Sequence, residues 1–126
     1  MKNVLHLAVS KKWYDLIVSG VKREEYREIK PYWEKRLLDY KAVKEYAKKN
    51  MYELRVKELL FPSRTPIEDV CANFPRGYTH VRFTNGYGSN RPSVEYELVS
   101  ISFGKPQRGL CPDEFLGKYF FVIKFK

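Results

Sequence analysis

The sequence predicts one mixed α+β domain: a strongly curved, mostly antiparallel sheet or a β-barrel, carrying two main helices. Three observations lead there. The chain has 126 residues, 44% apolar and 16% aromatic, which suffices for a single core and argues against a disordered polymer. Ser10 to Ser19 and Pro31 to about Lys49 carry apolar residues at helical spacing, whereas Tyr78 to Thr84, Val94 to Phe103 and Tyr119 to Phe125 read as strands. No internal repeat, low-complexity tract or linker interrupts residues 1–126, so they are read as one domain.

Asn3 to Val9, rich in Val and Leu between polar ends, reads as a short, largely buried strand in which His6 is expected to be a satisfied core residue. Ser10 suits an N-cap, and Trp13, Leu16 and Ile17 recur at helical spacing up to Gly20, a good stop. The next stretch, to Ile29, packs Lys22, Arg23 and Arg27 with Glu24, Glu25 and Glu28 around Tyr26. A helix would set Arg23 against Arg27 and Glu24 against Glu28 at a spacing of four, like charge against like, so a strand is favoured. In a strand, Arg23, Glu25 and Arg27 share one face, and Lys22, Glu24, Tyr26 and Glu28 share the other. Neither face is apolar. Unpaired charges are too costly for a dry core, so at least one face is expected to line a wet, polar cleft.

Pro31 suits the first turn of a second helix, with Trp33, Leu37, Tyr40, Val43 and Ala47 as its apolar stripe. Its outer face is basic, with Lys35, Arg36, Lys41, Lys44, Lys48 and Lys49; these charges suit the helix dipole and equally form a landing strip for phosphates. Met51 to Phe61 fits a helix or a strand equally well, and Pro62, Pro66 and Pro75 mark Phe61 to Gly77 as a loop with one helical turn near Ile67 to Cys71. In the strand Tyr78 to Thr84, Val81 and Phe83 alternate with His80 and Arg82. Asn85 to Pro92 is rich in turn residues, and its glycines allow close approach of a ligand. Burial along Val94 to Phe103 changes sides midway, as at a bulge. Pro112 to Leu116 reads as a helical turn, and the closing strand sets Tyr119, Phe121, Ile123 and Phe125 on one face.

The spacing Gly20-x-Lys22-x-x-Glu25-x-Arg27 fits the signature GxKxxExR, and in it the chain resembles the ASCH domain, a small β-barrel family of the PUA-like superfamily. The preceding strand and short amphipathic helix, and the aromatic-rich strand at the chain end, lie where that family has them. The middle of the chain carries no resemblance. The likeness implies a PUA-like fold that binds RNA or a nucleoside or nucleotide in a polar, basic cleft. Some small members hydrolyse the amide of N(4)-acetylcytidine with the motif lysine as a catalytic group, which here implies Lys22 with Glu25 beside it. Those hydrolases carry threonine where this chain has Glu25, and they use a later glutamate for which Glu95 and Glu97 are the candidates. Hydrolysis of an acylated nucleoside and ribonuclease action are the enzymatic alternatives to binding alone.

The residues themselves leave the same alternatives open. A lysine beside a carboxylate keeps its charge and binds anions; a desolvated one becomes a base or nucleophile. Lys22, Glu25 and Arg27 can equally form a buried ion-pair network that pins the sheet. Lys12, placed in a first helical turn against the dipole preference, is either a further candidate ligand contact or an incidental exposed lysine, which costs little there. Arg82 and Tyr87, with Arg76, Tyr78 and Arg91 nearby in sequence, form a basic and aromatic set of the kind on which bases stack. Lys and Arg exceed Asp and Glu by 24 to 15, a net +9 that attracts polyanions and also serves solubility. Cys71 and Cys111 lie far apart without a CxxC pair, so no metal or other cofactor is expected. No GxSxG or phosphate-binding Gly-Lys-Ser/Thr loop is present, no apolar run is long enough for a bilayer, and the first residues lack a signal cleavage site; a cytoplasmic protein without a membrane partner is expected.

Overall fold

In the computed structural model, which describes residues 1–39, 76–88 and 90–126, strand β1 (Val4–Val9) buries Leu5, Leu7 and Val9 and exposes His6. Period-two burial thus holds along β1, and it turns His6 outward instead of into the core position expected for it. Helix α1 (Lys11–Val18) starts from Ser10 in extended backbone and buries Ile17. It stops at Gly20, whose φ of 84° lies in the left-handed region that side chains disfavour. There the chain doubles back: the amides of Val21 and Lys22 both donate to the Leu16 carbonyl, at 3.1 and 3.0 Å. That return aims Lys22 inward just before strand β2 (Glu24–Arg27) begins.

Helix α2 (Pro31–Leu37) has Pro31 in its first turn and ends sooner than its stripe suggested. Leu38 is extended (φ −112°, ψ 152°), and both Leu37 and Leu38 are wholly buried. Leaving the helix frees the Leu37 carbonyl to accept from the Arg76 amide at 3.0 Å, while the Arg76 side chain donates to the Leu38 carbonyl. The expected continuation to Lys49 therefore fails at Leu38; its later part, the ambiguous stretch from Met51 and the loop up to Pro75, with Cys71, lie outside the described residues.

The five strands form an open sheet in the order β1-β3-β4-β5-β2, with β3 (His80–Asn85), β4 (Ser93–Gly104) and β5 (Phe120–Phe125) in its middle. The pairing of β1 with β3 is parallel and the other three are antiparallel. Among the described residues the sheet does not close into a barrel: β1 and β2 are its two edges. Register slips between Leu98 and Ser100, so Val94, Tyr96 and Leu98 pack on the core before the slip, and Ile101 and Phe103 after it. The residue skipped, Val99, is exposed. This is the bulge that the sequence required.

Strand β5 is buried on both faces, more than its expected single apolar face. Phe121, Ile123 and Phe125 join Leu5, Leu7, Phe83 and Ile17 in the main core. Phe120 and Val122 face the other way and pack with Tyr26 and Cys111, under a 3-10 turn at Asp113–Phe115. No helix of the described residues is long and apolar enough to cross a membrane.

Because the return after α1 needs a positive φ at one residue, Gly20→Ala should destabilise the fold by about 1–2 kcal/mol. Chemical denaturation checks this; an unchanged midpoint would contradict the role given to Gly20.

Candidate functional site

Among the described residues Lys22 is one of the largest fully buried side chains, 1% exposed, and it carries an amine. Three kinds of partner hold it. Its Nζ donates to the backbone carbonyl of Leu110 and lies 3.4 Å from Glu25 Oε1. The same atom sits 4.5 Å from the centre of the Tyr26 ring and 5.2 Å from that of Trp13, within cation–π range of both. Glu25, itself 7% exposed, accepts from the Tyr26 amide at 3.1 Å with Oε1 and from Arg27 Nη2 at 2.9 Å with Oε2. Arg27 Nη2 also donates to the Ala8 carbonyl at the end of β1. Its guanidinium lies 5.0 Å from the Trp33 ring centre, and its buried Nε has no hydrogen-bond partner among the described residues.

The sequence placed Lys22 on the opposite face from Glu25 and Arg27. That alternation applies only inside a strand, and β2 begins at Glu24. Lys22 lies before it, free of the register, and reaches around the edge of the sheet to its partners. The Leu110 carbonyl arrives from the far side. Tyr26 Oη donates to Glu24 and accepts the Gln107 amide at 3.3 Å, and Gln107 Nε2 donates to Glu24, so the turn from Gln107 to Cys111 is clasped onto β2.

These groups line a hollow of about 460 Å³, together with Trp13, Tyr87, Cys111 and Phe115. Its walls come from the end of β1, α1, β2, the β3–β4 turn and the segment after β4. It lies beside the charged strand, where a wet, polar cleft was expected, but its exposed lining is mainly apolar and Lys22 and Glu25 are almost entirely desolvated. Burial is the largest influence on Lys22 and lowers its proton affinity below the ordinary lysine range; the Glu25 carboxylate works in the opposite sense. Burial pushes the Tyr26 phenol and the Cys111 thiol up from their ordinary values.

Of the other residues singled out in the sequence, Tyr87 lies at the mouth, largely exposed. Lys12 is exposed and lies over the Trp13 ring at 4.7 Å, outside the lining. Arg82 points to the outer face of β3, where it bonds Ser93 and lies 3.5 Å from Glu95; it does not reach the hollow. Glu95 also pairs with Lys2 at 2.5 Å, which holds its carboxyl below the usual range, and Glu97 lies 3.5 Å from Lys126. Neither glutamate lines the hollow, so neither supplies the later glutamate that the hydrolases use. Arg76 and Tyr78 secure the end of α2, Tyr78 by donating to the Arg36 carbonyl at 2.8 Å, and Arg91 braces the β3–β4 turn by donating to the Tyr87 carbonyl. Trp13, the Leu110 carbonyl, Cys111 and Phe115 were missed as site residues; only Trp13, on the helix that leads into the motif, carried a sequence signal.

No family model, curated protein or solved structure matches the chain.

Two measurements check this arrangement. Glu25→Gln should destabilise the protein by about 3 kcal/mol by leaving a buried ammonium without its carboxylate, and should lower the Lys22 titration midpoint further, read by NMR at its Cε. Because the folded-state value of Lys22 lies below 10.5, the unfolded chain binds more protons between the two values, and stability rises with pH across that window. With Cys111→Ser in both proteins, since Lys22 itself lowers the thiol's value, the protein that keeps Lys22 should therefore gain stability relative to Lys22→Met as pH approaches 10.5, the raised Tyr26 value being common to both. A pH-independent difference would remove the claim that Lys22 is desolvated.

Proposed function

We propose that the chain is an ASCH-like, PUA-like module that binds RNA, or a nucleoside or nucleotide, in the Lys22 hollow. One observation carries this: a buried Lys22-Glu25-Arg27 constellation, walled by Trp13, Tyr26 and Tyr87, borders a hollow of about 460 Å³. That volume lies within the range of roughly 300–1,000 Å³ typical of small-ligand sites. The chemistry suits a nucleobase in each of its parts. Aromatic walls offer stacking surfaces, Glu25 accepts from an exocyclic amine, and Lys22 and Arg27 donate to a base carbonyl or a phosphate. The buried Nε of Arg27, without a partner among the described residues, is a donor in want of an acceptor. A net charge of +9 draws in the polyanion. An open five-stranded α+β sheet is compatible with the curved PUA-like architecture that this reading includes.

A second reading, amide hydrolysis of an acylated nucleoside such as N(4)-acetylcytidine, is favoured by one feature. The Lys22 amine is buried at the wall of the hollow and its proton affinity is lowered by that burial, the direction that favours a lysine as base. It would take a proton from water as the water oxygen bonds the acyl carbon; the C–N bond then breaks and the proton passes to the departing amine, giving a carboxylic acid and the free nucleoside. Glu25 would keep the amine in place.

Titration calorimetry with the four ribonucleosides, N(4)-acetylcytidine and a short single-stranded RNA tests binding. At least one probe should bind, the RNA more weakly as salt rises. A Lys22→Met/Arg27→Gln variant, shown by circular dichroism to be folded, should lose at least about tenfold in affinity, equivalent to about 1.4 kcal/mol. Retained affinity in that variant would refute the site. Cytidine release from N(4)-acetylcytidine that disappears in Lys22→Met would establish the hydrolase, and its absence in wild type would dismiss that version.

A further inference from the structure

A second hollow, of about 410 Å³, adjoins the first and shares Ala8, Arg27, Gly86 and Tyr87 with it. Its remaining wall is made by His6 and Leu7 of β1, by Tyr32, Trp33 and Arg36 of α2, and by the β3–β4 turn. The two hollows differ in charge. Glu25 lines the first beside Lys22 and Arg27, whereas among the described residues the lining of the second holds Arg27 and Arg36 and no carboxylate.

Arg36 is built into this wall. Its Nη2 donates to the His6 carbonyl at 2.9 Å and its Nη1 to Tyr32 Oη at 3.2 Å. Its guanidinium and that of Arg27 each lie 5.0 Å from the centre of the Trp33 ring. Two guanidinium groups are thus gathered on one indole, one of them common to both hollows. Next to them are two aromatic rings left largely uncovered, Tyr32 at 57% exposure and Tyr87 at 82%. Exposed aromatics beside fixed guanidinium groups are what a stacked base and its phosphate require. His6, unexpectedly turned out of the core, lies in the same wall.

We propose that the second hollow receives the adjacent nucleotide of a single-stranded oligonucleotide, the linking phosphate lying on Arg27 and Arg36 and the second base on Tyr32. The inference rests on the nucleoside reading of the first hollow and deepens it: the ligand is a strand of at least two linked nucleotides. The first hollow takes one base beside Lys22 and Glu25. Arg27, lining both hollows, marks the crossing point, where the backbone must carry its negative charge.

Calorimetry on the full chain, at low salt, with the four ribonucleosides and the dinucleoside monophosphates made from them tests this. At least one dinucleoside monophosphate should bind about tenfold or more tightly than either of its nucleosides. Arg36→Gln and Tyr32→Ala, both outside the first hollow, should each reduce that gain several-fold while leaving nucleoside affinity within about twofold. Nucleosides that bind with dependence on Lys22 but gain nothing from a second linked nucleotide would overturn this inference and spare the first reading. So would an Arg36→Gln variant that weakens nucleoside and dinucleotide equally. Failure of every probe to bind would overturn both.

Discussion

The buried ammonium of Lys22 is the constraint to which the rest of the structure answers. A cation removed from water needs a carboxylate, further hydrogen bonds and polarisable surroundings, or it destabilises the fold. Here these come from separate parts of the chain: Glu25 of β2, the Leu110 carbonyl beyond β4, and the rings of Trp13 and Tyr26. Helix α1, strand β2 and the turn from Gln107 to Cys111 are therefore tied at one point. The hollow is the space their meeting leaves open.

Such a cluster is poor evidence for a purely stabilising role. Well-packed apolar residues of similar volume often serve a core as well as or better than an ion pair. Lys22 and Glu25 are almost entirely desolvated at the wall of a hollow, and Arg27 beside them keeps a buried donor without a partner among the described residues. A desolvated lysine beside a cavity, with its proton affinity lowered by burial, is a physical mark of a candidate binding or reaction site. Elsewhere charge is paired off at the surface, with Lys2 and Arg82 on Glu95 and Lys126 near Glu97.

What the sequence disclosed follows from how local each determinant is. Gly20 as a stop, β2 as a charged strand and the change of side along β4 were legible because glycine conformation, like-charge spacing and period-two patterning act over a few residues. The Leu110 carbonyl left no trace, since every residue has one and only the tertiary path decides which is used. Lys12 and Arg82 looked like Lys22 and Arg27 in composition but not in direction: a helix surface and an outward strand position send them to solvent. Alternation also misplaced Lys22 itself, because it assumes a strand that starts two residues later. The early end of α2 was hidden because a run of apolar residues suits an extended Leu38 as well as another helical turn.

Among the described residues strand β2 is an edge of the sheet as well as a wall of the hollow. Unprotected edges invite pairing with a second molecule and, from there, aggregation; short length and charged side chains are the common defence. With four residues, three of them ionisable apart from tyrosine, β2 is badly suited to recruiting a foreign strand. Any evolutionary softening of this motif towards apolar residues would thus endanger solubility along with chemistry, so two independent pressures would keep the same few charges in place.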